Sequence, residues 1–252
     1  MKESTGAGVL IKDGTALLPG LPDIPVALRR SAQTRRLNLR VSGLDGRVSL
    51  SMPPSLPLAE ALAFLREKED WLRAAVNRVA GPQPVMPGSD ILLRGEKVRI
   101  IESGHIQRVT ESKGALLVPT DRSGDRTAVR VATYLRAAAQ ASLLPASEDY
   151  ARILGRRFAA VALRDTRSRW GSCTAQGRLM YSWRLIMAPP KVLRYVAAHE
   201  VAHLVHMDHS PAFWACVRGL MPEYPHHRAW LRAHGAELHS YCFRARPLAD
   251  RG

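Results

Sequence analysis

Polar and apolar residues alternate along Arg35 to Val41 and again along Arg47 to Met52, with Gly43 to Gly46 between them. This period of two predicts a pair of strands joined as a hairpin. Pro53 and Pro54 end the second strand. Beyond them Leu58, Leu62, Leu65, Leu72, Val76 and Val79 fall on one helical stripe, with Glu67, Lys68, Glu69 and Asp70 largely opposite. Gly81 to Gly88 carries Pro82, Pro84 and Pro87 and reads as a linker or long loop. Strand-like runs follow at Ile91 to Val98 and Leu116 to Val118, then an alanine-rich helix from about Arg126 to Leu144, capped by Asp125 and closed by Pro145. Phe158 to Leu163 and Leu179 to Ile186 read as strands. Pro189 and Pro190 suit the opening of a helix, and two shorter helices are expected at about Pro211 to Met221 and Pro225 to His234. No internal repeat is evident.

This order, strands first and helices last, predicts an α+β fold. Its expected divisions are a loosely held leader over residues 1–24, a β-rich region with one long helix over 25–120, a core over 121–240 and a tail over 241–252.

The formal charge of +15, from 37 Lys and Arg against 22 Asp and Glu, adds a further expectation. Such a surface concentrates polyanions, and nucleic acid is the usual partner. The excess also has a compositional reading, because lysine is confined to Lys2, Lys12, Lys68, Lys97, Lys113 and Lys191 while arginine is plentiful. Clustering of Arg29, Arg30, Arg35, Arg36 and Arg40 on one face would favour a nucleic-acid partner. No apolar run reaches the ~20 residues that cross a bilayer. Val9 to Leu18, interrupted by Lys12, Asp13 and Gly14, does not read as a signal peptide, so a cytoplasmic location is expected. Cys173, Cys216 and Cys242 lack the CxxC spacing of a zinc module and are too scattered for a disulfide framework.

The chemistry concentrates at His199-Glu200-Val201-Ala202-His203. On a helix, residues four apart share a face, so both imidazoles can reach one zinc ion at about 2.0–2.1 Å. Glu200, turned by about 100° from His199, is placed beside the ion rather than on it. There it can act as general base on an attacking water and then pass the proton to the leaving amine. A catalytic site needs a third protein ligand and an open position. His206 and His209 are the candidates. His206 lies about 10.5 Å along the axis from His199 if the helix continues. His209 is favoured if the helix ends near Met207, because Ser210 and Pro211 then cap and open a new one.

Together with Ser168-Arg169-Trp170-Gly171-Ser172-Cys173, Tyr181-Ser182-Trp183-Arg184-Leu185-Ile186 and Asp208-His209-Ser210-Pro211-Ala212-Phe213-Trp214, this segment resembles the YgjP-type metallopeptidase domain. Related families are the SprT-like and Wss-like metalloproteases, which cut proteins attached to DNA. The resemblance implies a small zincin core with His199, His203 and His209 on Zn2+ and Glu200 as general base. It also implies a cleft rim near Tyr181 to Leu185, to which an extended polypeptide substrate would add by main-chain pairing. His206 stands where metzincins keep a turn glycine, which separates this chain from that group.

Three further residues are candidates for the cleft or for the transition state. Trp170 either walls the cleft or plugs a turn between strands. Arg184 and Tyr224 either donate to an oxyanion or serve as a structural ion pair and a packed phenol. His226, His227, His234 and His239 share no convergent spacing and read as surface residues. The function expected is that of a zinc metallopeptidase. The alternatives are a protease module recruited to DNA by its basic N-terminal region, and a non-catalytic metal-binding scaffold. The intact Glu200 argues against the scaffold, since a purely structural ion prefers a closed four-ligand site.

Overall fold

The computed structural model describes residues 3–5, 9–43, 46–77, 81–121 and 126–243. It is an α+β protein that divides into two compact units, Met1–Gly81 and Pro82–Gly252.

In the first unit, β1 (Glu3–Thr5), β2 (Val9–Lys12), β3 (Thr15–Leu18), β4 (Leu21–Arg30), β5 (Asn38–Val41) and β6 (Val48–Met52) form one sheet in the order β1-β2-β3-β4-β6-β5. The expectation of a loose leader is corrected here. Asp13 and Gly14, both at positive φ, make the tight turn between β2 and β3, and Val9, Ala16, Leu18 and Leu21 are buried. The Gly and Pro punctuation that suggested looseness therefore marks hairpin turns. The predicted hairpin of β5 and β6 forms in antiparallel register, with Leu39 opposite Leu50 and Val41 opposite Val48.

The expected long helix is broken at Lys68 into α1 (Leu58–Glu67) and α2 (Glu69–Asn77). The proposed stripe residue Val79 lies outside the described residues. Ala61, Leu62, Leu65 and Leu72 join Val26, Val48, Leu50 and Met52 in this unit's core. Register puts Arg29 and Arg40 on the opposite, open face beside Ser49 and Ser51. Arg30 points elsewhere, donating to the carbonyls of Pro54 and Leu56 at 2.5 and 3.0 Å. Arg35 and Arg36 sit in the β4–β5 loop. The five arginines thus do not share one face.

The second unit begins with β7 (Gln83–Pro84). It continues into a sheet of β8 (Asp90–Leu93), β9 (Glu96–Ser103), β10 (Thr110–Ser112) and β11 (Ala115–Pro119), in the order β10-β11-β9-β8. The apolar run Ile91 to Val98 is therefore a hairpin, split by Arg94 and Gly95 at φ 53° and 88°. This turn anchors the segment that leads into Pro189: Arg94 N–H and Gly95 N–H donate to the carbonyls of Ile186 and Met187 at 2.8 and 3.0 Å. A Cβ on Gly95 would stand 2.9 Å from Pro189 Cγ. Ile91, Ile100, Leu116 and Val118 share one core with the helices of the C-terminal half, so the boundary falls at Gly81 rather than near residue 120.

Helix α3 (Thr127–Ile153) runs through Pro145, where a stop was expected; Asp125, the expected cap, lies outside the described residues. An interior proline costs about 3 kcal/mol. Val131, Leu135, Leu143 and Tyr150 are buried along the same helix, at about 1.5–3 kcal/mol for each fully buried aliphatic side chain, and outweigh it. Pro145 is exposed, as is Ala141, whose carbonyl it leaves without a helical donor, so water can reach that oxygen.

A three-stranded sheet follows, with β14 (Arg178–Ser182) between β12 (Ala160–Arg164) and β13 (Gly171–Cys173). The strand expected to reach Ile186 stops at Ser182, and the buried Trp183–Met187 forms a 3-10 turn. Then come α4 (Pro190–Ala202), α5 (Pro211–Leu220), α6 (Tyr224–Ser240) and β15 (Tyr241–Cys242), which pairs with β7. Helix α6 continues past His234, the expected end, because Leu238 and His239 are buried. Among the described residues, no helix is long and apolar enough to cross a membrane.

Candidate metal centre

Helix α4 opens at Pro190, the first helical position, where a missing N–H costs nothing. Val192, Val196, Ala197, Ala198, Val201 and Ala202 bury its inner side. It stops at Ala202 with His203 as the cap residue, and Leu204, Val205 and His206 continue as turns. The chain reverses at Asp208, whose carboxylate accepts from Ser210 N–H at 3.2 Å. Ser210 Oγ in turn accepts from Phe213 N–H and caps α5. This reversal carries His209 back over the first two histidines.

The structure brings His199, His203 and His209 together, with one nitrogen from each ring within 4.8 Å of the others. Nε2 of His199 and Nε2 of His209 are 3.1 Å apart. Two ligands on a tetrahedral ion with bonds of about 2.0–2.1 Å stand roughly 3.3 Å apart, so the spacing suits one ion. His203 Nδ1 lies 2.9 Å from the carbonyl oxygen of His206. A carbonyl only accepts, so Nδ1 carries the proton and Nε2 keeps its lone pair. His206 thus contributes its backbone, and its ring is not part of the cluster. His199 Nδ1 is buried with no hydrogen-bond partner among the described residues.

Burial, then the neighbouring His203 and His209, push His199 down to about 3; burial is also the main cause lowering His203. Both rings are therefore neutral at ordinary pH and available to a metal. Phe213 lies beneath the cluster, its ring centre 4.4, 4.8 and 4.9 Å from those of His203, His209 and His199. The donor set and its dry floor fit a divalent ion.

A cleft of about 390 Å³ opens over the cluster. The histidines, Glu200 and Met207 line one side, and Ser168, Arg169 and β13 line the other. Glu200 is 4% exposed. Its burial pushes the carboxyl up to about 8, against the pull of Arg169. Cys173 also lines the cleft, but burial and Glu200 push its thiol up to about 11, so it stays protonated.

Gly171 explains why the Arg169–Cys173 segment matters. A Cβ there would stand 2.4 Å from Glu200 Oε1 and 2.7 Å from its Cδ. Only glycine lets β13 approach so closely. Gly171→Ala should therefore displace the carboxylate while the fold survives, and lower peptide cleavage on the order of 10–100-fold. Steady-state kinetics beside an unchanged circular dichroism spectrum would check this, and full activity in the variant would contradict it.

The other three sequence candidates lie elsewhere. Trp170 packs on α6, 4.6 Å from the ring of His239 and against Gly235, and plugs the turn instead of walling the cleft. Arg184 is buried, donating to Asp165 at 2.6 and 3.2 Å and to the carbonyls of Leu238 and Tyr241 at 2.8 and 3.0 Å. Burial works to raise the Asp165 carboxyl, but hydrogen bonds and charge from Arg184 hold it below its ordinary range. Arg184 is thus a structural anchor. Tyr224 stacks between Tyr195 and Trp214 at 6.3 and 5.4 Å and is absent from the cleft lining. His239, expected at the surface, is buried, and burial followed by Arg184 pushes it down to about 4. The cationic side chain that does line the cleft, Arg169, carries no special spacing in the sequence.

Comparison with curated protein sequences returns no match. Among solved structures, the chain is similar to the metallopeptidase zymogen abylysin of Pyrococcus abyssi, at 20% identity over 36% of this chain and 92% of that one, with a TM-score of 0.34. The profile of the YgjP-like metallopeptidase domain matches residues 35–234, which hold the whole cleft and most of both units. The chain belongs to the YgjP-like metallopeptidase family.

Proposed function

We propose that the protein is a zinc-dependent peptidase of the HExxH type, with His199, His203 and His209 holding the metal and Glu200 as general base. The observation that carries this reading is the convergence of three imidazoles beside a buried carboxyl in one open cleft. A zinc ion there supplies Lewis acidity, acidifying a water and polarising the scissile carbonyl. Glu200 takes the proton of the attacking water and delivers it to the departing amine. Gly171 keeps the carboxylate close to β13, and Arg169 offers positive charge at the wall of the cleft.

The rim of the cleft is β13. Tyr181 and Ser182 cannot serve, because β14 already has a partner on both sides, and Trp183 to Leu185 are buried in the 3-10 turn that follows. An extended polypeptide adding to the free edge of β13 would lie across the histidine cluster.

Dialysis of the purified protein against a chelator, followed by titration with zinc, tests the reading on unfolded casein. Cleavage should disappear with the metal and return at about one ion per chain, as a single three-histidine site requires. Cleavage that survives complete metal removal would overturn it.

A further inference from the structure

A second groove, of about 540 Å³, lies along the first half of α6 between Tyr224 and Ala233. Arg228 and Arg232 line it, one helical turn apart, with Ala229 and Ala233 leaving room around them. Like charges at this spacing repel each other and weaken a helix. Among the described residues, neither guanidinium meets a carboxylate that would offset the repulsion. Arg228 is nevertheless held in place, stacked over Trp214 at 4.5 Å. A guanidinium held over a ring by its charge still has N–H donors to offer a planar anion.

The groove and the candidate metal centre are linked through Trp214. Trp214 stacks on Tyr224 at 5.4 Å on one side and lies 5.6 Å from the ring of His199 on the other, so one indole separates Arg228 from the metal cluster. The contacts of Trp214 with Arg228 and with His199 put the Arg228 guanidinium no more than about 10 Å from the His199 ring, a distance an extended chain covers in about three residues at about 3.3 Å each. The net charge of +15 also favours the approach of acidic chains.

We propose that Arg228 and Arg232 form an anion-binding subsite that takes a carboxylate of the polypeptide substrate, either an acidic side chain or the chain's C-terminus. The proposal rests on the peptidase reading and names the substrate class of that cleft.

Matched fluorogenic peptides test it on the zinc-loaded full chain: one set with Glu or Gln three residues to either side of the scissile bond, another with a free or amidated C-terminus there. One carboxylate should raise kcat/KM about tenfold, mainly through KM, with the advantage shrinking as salt rises. The arm that shows the advantage identifies the source. Arg232→Gln and Arg228→Gln should bring the ratio near unity, Arg232→Lys should keep much of it, and Arg218→Gln, an equal loss of charge on α5, should leave it intact. Equal turnover in both arms, or a preference that survives Arg228→Gln and Arg232→Gln, would overturn the subsite. Titration of the Glu200→Gln chain with the same peptides, read by tryptophan fluorescence, separates the two claims. Tighter binding of the carboxylate peptides without any cleavage by the unaltered protein would sink the peptidase reading alone, whereas cleavage with no preference in binding would sink the subsite alone.

Discussion

Glu200→Gln is expected to keep its metal and to lose about 10²–10⁴-fold in peptide hydrolysis, the range a positioned acid–base group supplies. The amide matches the carboxylate in shape, so it can occupy the same space against Gly171. The three histidines are untouched, so metal content should match that of the unaltered chain. What disappears is a basic oxygen able to take a proton from water and return it. The fold should not suffer, since the substitution replaces a buried, desolvated carboxyl by a neutral group whose burial costs less. A thermal melt at or above that of the unaltered protein, beside a collapsed kcat, is the expected pair of readings. Undiminished turnover would remove Glu200 from the mechanism.

His203→Ala should weaken zinc binding by at least about 100-fold, more than is lost when only an outer-shell partner is removed. His203 is held from two directions. Its Nδ1 is tied to the carbonyl of His206 at 2.9 Å and its face stacks on Phe213 at 4.4 Å, so Nε2 is aimed before an ion arrives. Losing it removes one of three ligands and also the preorganisation. His206→Ala provides the contrast: it keeps the carbonyl that orients His203 and deletes only a ring outside the cluster, so zinc affinity should hold. Competition against a colorimetric chelator measures both. Equal affinities in the two variants would mean that the cluster is not the metal site.

Much of this protein is written in short stretches of its sequence. The strand pair β5–β6, the opening of α4 at Pro190 and the cap of Ser210 on α5 depend on neighbours within a few positions, and each is legible there. The metal cluster is nearly as local. Four residues of helix set His203 against His199, and a reversal signalled by Ser210 and Pro211 brings back His209. Side-chain period and cap chemistry act over one or two turns, which is why pattern alone reaches this far.

Where the pattern misled, distant residues decided. Pro145 is a helix breaker taken by itself, yet α3 continues because one of its faces is buried in a core shared with α4. Trp170, Arg184 and Tyr224 have the right chemistry for a cleft, but His239, Asp165 and Trp214 claim them instead. The sequence leaves Gly171 either in a loop near the metal or in an ordinary turn, and only the approach of β13 to a glutamate on α4 decides between them; Arg169 gains its meaning from the same approach. The sequence by itself determined the proposed ligands, the proposed general base and the α+β class, because periodicity and capping are properties of neighbouring residues. The tertiary structure alone decided which strand lines the cleft, which arginine faces it and which histidine is buried, because those depend on packing between segments far apart along the chain.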